Sequence, residues 1–153
     1  MPDLQNEGDE PDDDPQFQRI DAIVGRHQDE PFTRQVERYY HHPRSALTLP
    51  CEVTGIEDFK WEEFYILGPG DPREYRRLRR TQPSYQDRYH LLEIRHGVVS
   101  DWGLCFDDIE ARVKRTSDST EFSLGLSELK LVDVESSSYG VLDDYAVFFA
   151  NYR

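Results

Sequence analysis

At 153 residues the chain has room for one domain with an ordinary core rather than two substantial ones. Its net charge of -13 argues against a general grip on nucleic acid, whose phosphates need clustered Lys and Arg, and no run of about 18 apolar residues offers a membrane span. The chain is polar overall, yet 9 Tyr, 8 Phe and 2 Trp supply so much ring area for burial that most of it is expected to fold.

The first stretch, Met1 to Asp14, carries seven acids and no base, and reads as a disordered acidic tail, leaving residues 15–153 as a single domain. With neither a basic start nor an apolar run, this N-terminus does not look like a signal peptide. A cytoplasmic protein is the expectation, with Cys51 and Cys105 as free thiols. Asp14-Pro15 then opens a short amphipathic helix, because a capping carboxylate precedes a proline with a helical φ; Phe17, Ile20, Ile23 and Val24 share its face and Gly25 ends it. A second helix starts at Glu30-Pro31, with Phe32, Val36, Tyr39 and Tyr40 at helical spacing, and Pro43 is expected to stop it. His41 and His42 at its end suit the helix dipole better than a metal, since no third partner is placed near them.

From Ala46 the period changes to two. Leu47, Leu49, Cys51 and Val53 alternate with polar residues and predict a strand that Gly55 ends, with Pro50 marking an edge or a bend. A second strand is expected over Trp61, Phe64 and Ile66, with Glu57, Asp58, Glu62 and Glu63 near its start. Gly68-Pro69-Gly70 breaks the chain, and Asp71-Pro72 caps a helix bearing Arg73, Arg76, Arg77, Arg79 and Arg80, so that the stretch 71–82 is the one basic patch in an acidic protein. Pairing with neighbouring carboxylates accounts for that patch more simply than a hold on phosphate. The segment containing Tyr85, Tyr89, Leu91, Leu92 and Ile94 fits strand and helix alike, and Gly97 and Gly103 bracket a loop around Trp102.

The clearest pattern follows. Ile109, Ala111 and Val113, then Phe122, Leu124 and Leu126, alternate with polar residues on either side of the polar turn 116–120, as two strands of a hairpin would. Leu126 to Leu129 reads as a bent turn, Leu131-Val132 as a further strand, and 135–140 as a serine-rich turn. Val141, Leu142, Tyr145, Phe148, Phe149 and Tyr152 recur at the steps of a closing helix, with Asp143 and Asp144 expected in its first turn.

Enzyme signatures are missing: there is no glycine-rich phosphate loop, GxSxG elbow, HExxH or CxxC, and a non-enzymatic protein is the expectation. Hard cations are a closer chemical match, because Ca²⁺ accepts six to eight oxygens in irregular geometry. Two acid clusters have the density for this, Glu57 and Asp58 with Glu62 and Glu63, and the pair Asp107 and Asp108 at the mouth of the hairpin; solvated surface acid is the alternative account of both. An EF-hand loop is absent.

The stretch Phe122 to Asp133, FSLGLSELKLVD, followed by Leu142 to Asn151, LDDYAVFFAN, resembles the ending of the small cyanobacterial-type (CcbP-like) calcium-binding proteins. Leu47 to Gly55, LTLPCEVTG, resembles their first strand. The arginine-rich segment from Gly68 to about Asp101 and the two N-terminal helices depart from that pattern. The resemblance implies an α+β domain, a strongly bent antiparallel sheet or small Src-homology-3-like barrel with helices against it. It implies Ca²⁺ as ligand, in a buffer or sensor, held by Glu57, Asp58, Glu62, Glu63, Asp107 and Asp108. The alternative is a metal-free module that holds a protein partner through Trp61, Tyr65, Trp102, Arg76 and Arg80.

Overall fold

The computed structural model describes residues 14–25 and 29–153; the acidic stretch before Asp14 lies outside them. Five antiparallel strands form one open sheet in the order β4-β3-β2-β1-β5, with β1 Cys51–Gly55, β2 Arg88–Arg95, β3 Glu110–Arg115, β4 Glu121–Gly125 and β5 Leu129–Leu131. The protein is therefore α+β. Its sheet does not close, so of the two expected forms the bent sheet is the one adopted, not the barrel.

The register explains which side chains are buried. Val53 faces both Leu131 and Tyr89, Leu91 faces Val113, and Val113 faces Phe122, so the buried apolar members of the strands point to one side of the sheet, while Leu92 stays exposed. Arg115 belongs to that inward set, two residues beyond Val113, and is buried although charged. A bulge between Leu91 and Glu93 shifts the β2 pairing, which is why the polarity of β2 does not alternate cleanly and its sequence reads ambiguously.

Three helices cover the inner side: α1 Pro15–Val24, α2 Phe32–Ala46 and α5 Ser137–Asn151. Asp14 caps α1 as expected, its Oδ1 accepting from the Gln16 N–H at 2.8 Å. Tyr39 of α2 stacks on Phe148 of α5 with ring centroids 4.5 Å apart. Pro43 does not stop α2, which runs on to Ala46: the missing N–H costs one bond, Pro43 is itself buried, and the Ser45 hydroxyl lies 3.1 Å from each of the His41 and His42 carbonyls.

α5 begins at Ser137, capped by Ser136, so Asp143 and Asp144 sit at mid-helix and not in its first turn. Asp144 is buried there because Arg19 of α1 donates twice to it, at 3.0 Å through both Nε and Nη2. Leu47 to Leu49 precede the strand instead of belonging to it, the peptide bond before Pro50 being cis. No strand forms over residues 61–66. Lys60–Glu62 is a 3-10 turn continuing into α3, Glu63–Ile66, which leaves Phe64 56% exposed. α4, Pro72–Leu78, follows, with Asp71 as its cap. Both cysteines are free, and no helix among the described residues is long and apolar enough to cross a membrane.

Candidate functional site

β1 ends at Gly55, where only glycine fits, since a β-carbon would lie 2.6 Å from the Tyr85 backbone. The chain leaving β1 turns across the sheet edge, where the Ile56 N–H donates to the Glu128 carbonyl at 2.9 Å. That one backbone bond joins the segment after β1 to a 3-10 turn, Leu126–Glu128, between β4 and β5. A cleft of about 600 Å³ opens between them and α5. Glu57, Asp58 and Glu63 stand on one wall, Ser127 and Glu128 on the other, and the apolar side of α5, including Val147 and Phe149, forms its back. Two basic side chains, Lys60 and Arg153, also reach the cleft; Lys60 lies 3.8 Å from Glu63 and Arg153 lies 3.8 Å from Asp107.

Beneath Ser127 lies Asp108, 5% exposed. Its Oδ1 accepts from the Tyr145 hydroxyl at 2.6 Å and the Ile109 N–H at 2.8 Å, and its Oδ2 from the Ser127 hydroxyl at 2.5 Å. Burial pushes the Asp108 carboxyl up to about 6 even against those donors. Glu128 is pushed up to about 7, by burial first and then by the charge of Asp108, with the Leu104 N–H donating to it at 3.2 Å. A β-carbon placed on Gly125 would lie 2.5 Å from Asp108 Oδ2 and 2.9 Å from Glu128 Oε2, so two carboxylates converge on the space that this glycine leaves bare. Among the described residues no basic side chain hydrogen-bonds to either of them. Asp107 adds a buried Oδ1 with no hydrogen-bond partner.

The donor set therefore suits an oxygen-seeking cation: carboxylates and a hydroxyl, partly desolvated, with Glu57, Asp58, Glu63 and Glu128 outnumbering Lys60 and Arg153. It is a place where ligands can be drawn together rather than a finished cage, because among the described residues no three His, Cys, Asp or Glu side chains are already grouped to hold an ion.

Glu62 does not line that cleft. It is fully buried and turned away from the cleft, with Oε1 accepting from the Phe59 N–H at 3.2 Å and the Tyr85 N–H at 2.9 Å, and Oε2 from the Ser84 hydroxyl at 2.7 Å and the Tyr75 hydroxyl at 2.6 Å. Four donors occupy its oxygens, and they tie the turn at residues 59–62 to α4 and to the loop before β2. Burial, then its bond to Glu62, pushes the Tyr75 phenol up to about 12. Trp61, Tyr65 and Trp102 are half-buried, not exposed, since Trp61 and Tyr65 pack with Tyr75 and the Trp61 Nε1–H donates to the Pro83 carbonyl at 2.5 Å. Glu128 was the residue that pattern reading missed. It sits as a polar spacer in a leucine-rich turn, and the only local hint was the glycine three residues before it.

No family model matches the chain, and no curated protein does. Two solved structures share its fold. Anabaena CcbP is 14% identical over 88% of this chain and 89% of that one, with a TM-score of 0.54. A calcium-binding protein in its calcium-binding form is 13% identical over 99% of this chain and 98% of that one, with a TM-score of 0.51. At such identities the likeness is one of fold, and the chain has the architecture of these two proteins over nearly its whole length.

Proposed function

We propose that this protein binds calcium in the cleft between residues 56–63 and the turn Leu126–Glu128, as a buffer or sensor and not as an enzyme. Glu57, Asp58, Glu63 and Glu128 would hold the ion, with Asp108 behind them supplying negative charge. The observation that carries the reading is the convergence of Asp108 and Glu128 beside Gly125 without a basic partner. A hard divalent cation compensates such a pair and tolerates the remaining irregular oxygens. The name of one of the two structures of like fold, a calcium-binding protein in its calcium-binding form, supports the same choice of ion.

Calorimetric titration with calcium tests it, read together with the melting temperature. Calcium at a hundred times its Kd stabilises the folded chain by about 2.7 kcal/mol, a shift well within reach of either method. D58N/E128Q is expected to lose the heat and the shift. An unchanged response in that variant removes this cleft from consideration, and a wild-type protein that neither releases heat nor melts higher removes calcium.

One observation favours a second reading, a metal-free module for a protein partner. Phe106 is 85% and Leu67 77% exposed, on loops flanking the sheet, where exposed apolar side chains of this size suit a partner surface. Absence of any calcium response would leave this reading standing.

A further inference from the structure

Away from the acidic cleft, the chain that follows α4 is held by a buried cation. The carbonyls that close α4 are not left to water: the Arg115 guanidinium reaches from the inward row of β3 and donates to the carbonyls of Arg79 at 3.2 Å, Arg80 at 2.8 Å and Gln82 at 3.1 Å. A helix C-terminus normally repels anions. Here a buried cation occupies it. The same guanidinium pairs with Asp118 at 2.7 Å and Asp87 at 3.1 Å, so both carboxylates near it are engaged.

Around this knot lies an open pocket of about 450 Å³ between α4 and the β3–β4 turn. Arg76, Arg79, Arg80 and Arg115 line it against Asp87 and Asp118, leaving a surplus of two positive charges in a chain whose net charge is -13. Arg79 pairs with Asp87 at 3.4 Å. Arg76 and Arg80, both exposed, are in no ion pair among the described residues, although the chain carries 31 acids that could have been placed beside them. Ser117, exposed in the turn opposite, completes the lining with a hydroxyl.

We infer that this pocket binds a small phosphate-bearing anion, gripped by the forks of Arg76 and Arg80 and the hydroxyl of Ser117. The planar guanidinium matches the geometry of phosphate oxygens, which an ammonium does not. Size follows from the surrounding field. At physiological salt, charges beyond about 8 Å are screened, so a small anion meets the local surplus alone. A long polyanion would extend onto the acidic remainder of the surface and be repelled.

The test is a titration of the full chain with inorganic phosphate, followed by amide chemical shifts, against sodium chloride at matched ionic strength. Saturable shifts at Arg79, Arg80, Ser117 and Asp118 are expected with phosphate and not with chloride. R76Q/R80Q should weaken binding at least tenfold, and R76K/R80K, which keeps the charge without the fork, should weaken it by a smaller factor. Both substituted residues are exposed, so circular dichroism and the calcium titration should match the wild type. Shifts that do not saturate, that chloride reproduces, or that persist in R76Q/R80Q would overturn the proposal. So would tighter binding of a single-stranded oligonucleotide than of phosphate, which would make the pocket part of a nucleic-acid surface.

Discussion

Glu62 tests whether a carboxylate read as a ligand is instead a structural brace. In E62A four donors lose their acceptor at once. The Tyr75 hydroxyl can turn to water because its residue is only half-buried, but the Phe59 N–H and the Ser84 hydroxyl belong to buried residues and cannot. Each buried donor left unpaired costs about 1–3 kcal/mol, and part of that is offset because a charge no longer has to be desolvated. The expected loss is about 3–5 kcal/mol, a large share of the 5–15 kcal/mol typical of a domain. E62Q keeps the shape and one carbonyl oxygen for the two N–H groups, while its amide can donate to the two rotatable hydroxyls. Its cost is the difference between charged and neutral hydrogen bonds, about 1 kcal/mol. Urea unfolding separates the two variants, since about 1–3 kcal/mol is lost per molar urea for a protein of this size. Equal midpoints for E62A and E62Q, or a calcium response abolished in E62Q while its fold is intact, would refute the brace and return Glu62 to the ligand set.

Arg115 should behave as a buried cation whose removal strands its partners: R115M is expected to cost about 3–5 kcal/mol. Hydrogen exchange should find the amides of α4 and residues 79–82 deprotected before the rest of the sheet, whereas uniform protection would place the anchor elsewhere. The acidic cleft predicts an unusual pH response in the metal-free protein. Burial raises the Glu128 carboxyl from 4.5 to about 7 and the Asp108 carboxyl from 3.8 to about 6, so the folded state holds those protons more tightly than the unfolded one. The stability they contribute is complete below the unfolded values and is lost as pH rises through the folded ones, opposite in sign to an ion-paired carboxylate such as Asp118, whose affinity for protons Arg115 lowers. Melting temperatures across that window should fall more in wild type than in E128Q; parallel curves would mean that Glu128 is not held protonated.

Much of this architecture is local in origin and could be read from the chain alone. The hairpin of β3 and β4 follows from alternation on either side of a polar turn, α1 and α4 from an aspartate before a proline, and the aromatic spacing of α5 from its burial on the sheet, since each depends only on neighbours a few residues apart. Elements whose form depends on distant contacts did not declare themselves. β2 hides its period behind a bulge, α2 continues past Pro43, and residues 61–66 turn helically although their apolar spacing suggests a strand, because Glu62 is drawn inward by the Ser84 hydroxyl and the Tyr85 N–H. The acid clusters were visible as composition, but composition does not say where a side chain points. Only the folded backbone brought Glu57, Asp58 and Glu63 opposite Glu128, turned Glu62 inward, and set Arg115 at the end of α4. A charge takes its role from its partners, and some of those lie far along the chain: Ser84 is 22 residues from Glu62, and Arg79 is 36 from Arg115.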